Sequence, residues 1–136
     1  MVPHTPETGY GYIRCGAALD EDLYALEAFV EKPDSATAQA YLESGSYLWN
    51  SGMFLLRAET YLAQLAEFQP AMLASCRRAM QEATRDMDFI RPEAEAFAAC
   101  PADSIDYAVM EHTREGGVIA LDCGWSDVGA WSALWE

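Results

Sequence analysis

Strand-like segments separated by amphipathic helices predict an α/β fold. Three observations carry that reading. Tyr10–Arg14, Leu26–Val30, Met53–Leu56 and Val118–Leu121 are short runs rich in aromatic and aliphatic residues, the composition and length of strands. Between them, apolar residues return every three or four positions, as Tyr61, Leu65 and Phe68 do, which makes a one-sided helical stripe. Hydrophobic residues form 51% of the chain, so composition excludes disorder.

The elements follow in order. Pro3-His4-Thr5-Pro6 is extended or turn-like, because each proline restricts the residue before it. Tyr10–Arg14 is a strand, with Gly11 where something approaches the backbone closely. Leu26–Val30 is a second strand, ended by Pro33. Asp34 or Ser35 caps a helix running to about Glu43, and Gly45 stops it. Met53–Leu56 is expected as a buried strand. A helix from about Ala58 is broken by Pro70, and a second, about 70–84, places Met72, Leu73, Cys76 and Met80 on one face. The 86–100 stretch is expected to hold a short helix near Pro92. Asp103 or Ser104 caps a third helix, whose Ile105, Ala108, Val109 and His112 share a face, and Gly116-Gly117 end it. Val118–Leu121 is a last buried strand. A loop, Asp122–Val128, leads into a final helix containing Trp131 and Trp135.

Charge narrows the functional classes. The 136 residues suit one domain, large enough to bury about two thirds of the unfolded surface. They carry 8 Lys+Arg against 22 Asp+Glu, a net charge of −14. Such a chain binds neither nucleic acid nor an anionic membrane surface through bulk electrostatics. Phosphate handling would need a metal ion or a very local positive group, and Lys32 is the only lysine. Cys15, Cys76, Cys100 and Cys123 contain no CxxC pair, and His4 and His112 are not at ligand spacing from them. No four-ligand zinc site and no secreted disulfide scaffold is expected. The opening segment lacks the basic and apolar regions of a signal peptide, and no apolar run approaches a membrane span. The expectation is a soluble, reduced, cytoplasmic protein.

Four segments could carry chemistry, and each has a plainer reading. Glu31-Lys32 closes a strand before Pro33. A carboxylate there can accept from vicinal hydroxyls and an ammonium can meet a phosphate, or the two form an exposed ion pair of little worth. Trp49-Asn50-Ser51-Gly52 offers the donors and acceptors that a sugar ring needs, and is equally strong turn chemistry. Asp106 and Glu111 lie on the third helix; Asp106 there favours the helix N-terminus, and His112 is a helix-face residue. In Gly124-Trp125-Ser126-Asp127-Val128-Gly129, Asp127 can ligate a hard cation or cap the helix that follows.

The order and wording of these segments are more specific than any one of them. PETGYGYI, FVEKPD, YLWNSGMFLLRA, SIDYAVMEHT and GWSDVGAWSALWE resemble the successive signature segments of mannose-1-phosphate guanylyltransferases, the GDP-mannose pyrophosphorylases. The likeness is to the bacterial type fused to, or grouped with, mannose-6-phosphate isomerase. It spans roughly Pro3 to Glu136. FVEKP is shared more widely among sugar nucleotidyltransferases, whereas WNSGMF with SIDYAVME and GWSDVG is much more specific to the mannose branch.

The resemblance implies a fold, a reaction and roles. The fold would be a partial Rossmann-like nucleotide-diphospho-sugar transferase, a mixed sheet with flanking helices. The reaction would transfer a guanylyl group from GTP to mannose 1-phosphate, with Mg²⁺ required. By the same resemblance Gly11 would approach the sugar through its backbone, Glu31 would hold hydroxyls, Lys32 would bind the phosphate, and Asn50 would contact the hexose. Asp127 would be one of two aspartates on Mg²⁺, and Lys32 and Asp127 would be the catalytic pair. The role of Asp106 stays open, with positioning of the Asp127 loop as one reading.

The family's glycine-rich GxGTRLWP loop and its second metal aspartate have no counterpart here, and few strands are visible for a doubly wound sheet. The expectation is therefore that 1–136 is the C-terminal, sugar-phosphate-binding part of a nucleotidyltransferase domain, without the nucleotide-binding half and inactive alone. Its partners would be a second copy or the missing half. The rival readings are a non-catalytic interaction module and a transferase for another sugar.

Overall fold

In the computed structural model, residues 1–129 and 131–135 are described, leaving aside the side chains of Ser132 and Leu134. The elements in chain order are β1 (Tyr12–Ala18), β2 (Leu23–Val30), α1 (Ser35–Ser44), β3 (Tyr47–Trp49), α2 (Ala58–Phe68), α3 (Pro70–Gln81), β4 (Thr84–Asp86), β5 (Phe89–Arg91), α4 (Ala94–Ala98), a π-helical segment (Asp106–Met110), β6 (Gly117–Ile119) and a 3-10 turn (Trp131–Leu134). They fall into two compact units, Met1–Phe54 with Arg114–Glu136, and Leu55–Thr113.

The first unit is built on a four-stranded sheet of order β3-β1-β2-β6. Strands and helices are both present, as the α/β pattern requires. All the described pairings are antiparallel. β1 and β2 form a hairpin across the acidic turn Asp20-Glu21-Asp22, where the Leu19 and Asp20 N–H groups both donate to the Leu23 carbonyl. The register slips between Arg14 and Cys15 and again before Ala18. Such bulges add a residue and shift the alternation of faces, which is why Leu26 and Phe29, three apart, are both buried.

Beneath β1 and β3 lies an aromatic core. Tyr12 and Ala38 are fully buried, with Trp49 beside them and Tyr10, Tyr41, Tyr47 and Trp125 packed around. The Tyr41 and Tyr47 rings stack 3.8 Å apart at 13°. Ala38 reaches this core because α1 starts and stops where expected. The Asp34 carboxylate accepts from the Thr37 N–H at 2.8 Å, and that bond holds the Asp34 carboxyl below its usual range. Gly45 ends the helix in the left-handed region, φ 64°.

The second unit is mainly helical. α2 and α3 meet at Gln69, and Pro70 occupies the first turn of α3, where its missing N–H costs nothing. Leu65, Met72 and Leu73 bury their side chains with Ala108 and Val109 of the π-helical segment. Met80 was expected on this apolar face but is 53% exposed, and Ala79 is the buried residue at that turn. β4 and β5 pair as a hairpin across Met87-Asp88, and the short helix near Pro92 is α4. Glu93 caps α4, accepting from the Glu95 and Ala96 N–H groups, which holds its carboxyl below the usual range.

Other expectations need correcting. Met53–Leu56 is not a strand. Met53, Leu55 and Leu56 are exposed, because the edge of β1 is already taken by Tyr47–Trp49 and the turn at Gly52 (φ 71°) leads the chain away from it. His112 is exposed rather than part of the buried face. The buried strand 118–121 shortens to β6, in which only Val118 is buried. The expected final helix with Trp131 and Trp135 is one 3-10 turn, Trp131–Leu134, so Trp135 lies beyond its end, and both tryptophans are exposed; Ala130 lies outside the described residues.

Candidate functional site

Strand register brings three of the expected residues together. Tyr12 opposes Val30 of β2 and Trp49 of β3. Gly11 precedes Tyr12, while Glu31 follows Val30 and Asn50 follows Trp49. Antiparallel pairing therefore sets Glu31 and Asn50 on either side of Gly11. The Asn50 N–H donates to the Gly11 carbonyl at 2.8 Å. A Cβ on Gly11 would overlap Glu31 Oε2 and stand 3.1 Å from Asn50 Cβ. Glycine is needed here because its own neighbours fill the space of a side chain.

The charged pair divides by depth. The Glu31 side chain is 8% exposed and that of Lys32 56%. The Lys32 ammonium donates to Glu31 Oε1 at 2.7 Å, so a sunken carboxylate sits under a cation at the rim. The Lys32 backbone is left-handed, φ 48°. That region is uncommon for a side-chain-bearing residue, and the following Pro33 further favours an extended conformation. Strain of about 1–3 kcal/mol held at such a corner is typical of binding and catalytic positions.

Asn50 also makes the turn that its sequence suggests, with Oδ1 accepting from the Gly52 N–H at 3.0 Å. Its side chain thus serves the turn while lying beside Gly11.

An aromatic bracket, which the sequence reading left without a role, surrounds these groups. The Tyr10 ring meets Trp49 edge-on at 5.2 Å and Trp125 at 5.5 Å. Trp125 is partly buried, whereas the other described residues from Leu121 to Gly129 are exposed. Trp125 is therefore the anchor of the Asp127 loop. The available signal was adjacency: Tyr10-Gly11, Trp49-Asn50 and Trp125-Ser126-Asp127 each set an aromatic ring next to a candidate group.

Asp127 is an exposed oxygen donor. Among the described residues no three His, Cys, Asp or Glu side chains converge as a metal site. Asp106 belongs to the second unit. It is partly buried at the start of the π-helical segment, where its carbonyl accepts from the Glu111 N–H at 2.9 Å. The His112 ring stands 5.5 Å from Phe68. No helix among the described residues is long and apolar enough to cross a membrane.

The arrangement can accept hydrogen bonds through a nearly buried carboxylate and neutralise an anion at its edge. The profile of the nucleotidyl transferase family matches residues 1–136. The chain belongs to that family. Among relatives of this nucleotidyl transferase, the mannose-1-phosphate guanylyltransferase ManC of Salmonella typhimurium is 56% identical over 140 residues, covering 100% of this chain and 29% of that protein. The xanthan biosynthesis protein XanB of Xanthomonas campestris strain B100 is 58% identical over 134 residues, covering 98% and 28%. The chain thus spans less than a third of the length of the curated relatives it matches.

Solved structures agree with the fold of a nucleotidyl transferase. A mannose-6-phosphate isomerase from Helicobacter pylori superposes with a TM-score of 0.78 at 29% identity, covering 92% of this chain and 48% of that one. A mannose-1-phosphate geranyltransferase from Thermus thermophilus superposes at 0.71 and 33% identity, covering 87% and 32%.

Proposed function

We propose that residues 1–136 form the sugar-phosphate-binding part of a mannose-1-phosphate guanylyltransferase, acting in an enzyme of the relatives' full length. The single observation that supports this most is the rung at Tyr12, where Gly11, Glu31 and Asn50 converge and Lys32 stands at the rim. In this reading Glu31 accepts from mannose hydroxyls, Asn50 contacts the ring, and Gly11 meets the sugar through its backbone. Lys32 neutralises the 1-phosphate as a point charge.

The reaction would join an oxygen of mannose 1-phosphate to the α-phosphorus of GTP and release pyrophosphate. The contribution of this chain is to bind, orient and neutralise. A divalent cation, with Mg²⁺ as the expected one, would offset phosphate charge, and Asp127 would be one of its oxygen ligands. The setting would be the cytoplasm. The chain alone is expected to release no pyrophosphate from GTP and mannose 1-phosphate.

Calorimetric titration of this chain tests the reading. Mannose 1-phosphate should bind without GTP, and more tightly than glucose 1-phosphate or mannose 6-phosphate. Absence of binding to mannose 1-phosphate overturns it, and preference for glucose 1-phosphate points to another sugar transferase. A second reading, an interaction or dimerisation module, draws on the exposed Leu55 and Leu56 of the second unit. Light scattering that shows a monomer at high concentration would sink it.

A further inference from the structure

We propose that Cys76 and Cys100 form a reversible disulfide that staples α3 to the segment following α4. Their Sγ atoms stand 3.9 Å apart, across 24 positions of sequence. Both thiols are partly buried, and both pack against the core of the second unit with Leu65, Met72 and Leu73. No helper residue is needed to bring them together, because the fold already does so.

The surroundings favour closure. Cys76 is held on α3, between the buried Leu73 and Ala79. The start of α4 is fixed to α3 by the Glu93 N–H, which donates to the Ala79 carbonyl at 2.9 Å. Cys100 lies beyond the end of α4, and the exposed stretch Pro101–Ser104 after it has no regular structure. The sulfurs must approach from 3.9 Å to the ~2.05 Å of a disulfide, and this stretch can absorb that movement while α3 stays in place. Partial burial and the neighbouring Cys76 sulfur push the Cys100 thiol up, so little thiolate forms near neutral pH.

With glutathione disulfide as oxidant, one protein thiolate attacks a glutathione sulfur and expels a glutathione thiolate. The second protein thiol loses its proton and attacks the mixed disulfide. One S–S bond forms in the protein, one is lost from the oxidant, and two molecules of reduced glutathione leave.

The test is peptide mapping of this chain under non-reducing conditions after incubation with glutathione disulfide. The expected product links the peptides of Cys76 and Cys100, lacks two hydrogen atoms, and is reversed by dithiothreitol. Formation should quicken as pH rises from neutral toward about 9. The oxidised chain should melt higher by roughly 5 °C or more, since the staple closes a loop in the unfolded chain. Cys76→Ser and Cys100→Ser should each abolish the linked peptide and the melting shift. Separate glutathione adducts on the two cysteines, or linkage of either to Cys15 or Cys123, would overturn the proposal. Neither cysteine belongs to the candidate sugar-phosphate site, so this result and the titration stand or fall apart.

Discussion

The Glu31 carboxylate occupies the space that a side chain on Gly11 would need. Gly11→Ala must therefore displace Glu31 or spread the rung at Tyr12. Because the conflicting atom ends a side chain, the sheet survives and the carboxylate moves. Affinity for mannose 1-phosphate should fall at least about tenfold, or ~1.4 kcal/mol, with circular dichroism unchanged. Unchanged affinity in the titration would show that the position of Glu31 does not matter to the ligand.

Lys32 separates charge from backbone strain. Lys32→Ala removes the ammonium and keeps a left-handed corner that a Cβ resists. Lys32→Gly removes the ammonium and relieves the corner, so it should be more stable than Lys32→Ala by roughly 1 kcal/mol. Both should weaken mannose 1-phosphate binding to a similar extent, with little effect on GTP use in the full-length enzyme. Denaturant melts combined with calorimetry check this, and loss of binding in the alanine variant alone would assign the effect to conformation.

Acid should loosen α1. The Thr37 N–H bond favours the ionised Asp34, so its carboxyl is lower in the folded chain than in the unfolded one. Its stabilisation is complete above the unfolded value of 3.8 and is lost as pH falls through the lower folded value. Asp34→Asn should keep a cap and flatten this part of the acid limb, whereas Asp34→Ala should lose both the cap and the acid dependence. Urea melts between about pH 2 and 6 read the difference.

Leu65 tests the second core. It is 3% exposed among Met72, Leu73, Ala108 and Val109, so Leu65→Ala should destabilise the second unit by about 2–5 kcal/mol. Hydrogen exchange should show the loss in α2, α3 and the π-helical segment. The Gly11 rung lies in the other unit, and mannose 1-phosphate binding to the folded fraction should be spared.

Legibility tracked how local each signal was. α1 was readable at both ends because Asp34 and Gly45 act on their own helix. The apolar run Met53–Leu56 misled, since hydrophobicity does not say which segment wins an edge, and Tyr47–Trp49 holds the edge of β1. The β4–β5 hairpin was hidden because its turn uses Met87 at φ 54° rather than glycine or asparagine. Within the site, Gly11, Glu31, Lys32 and Asn50 could be singled out from local chemistry and motif resemblance. Their meeting at one rung could not, because strand register relates segments far apart in sequence. The anchoring role of Trp125 is hidden in the sequence for the same reason, as its partner Tyr10 lies near the other end of the chain.

The rung at Tyr12 also makes the site a matter of counting. Its members flank the ends of three strands, so their alignment depends on pairing rather than on the lengths of the connections between them. Residues added to the exposed Asp20-Glu21-Asp22 turn, or to the α1 connection between β2 and β3, can be looped out and leave the three groups aligned. One residue inserted between Gly11 and Tyr12, or between Val30 and Glu31, cannot be absorbed in this way. Length variation should therefore be tolerated in the turns and forbidden at the strand ends, a pattern that a library of single-residue insertions would expose directly.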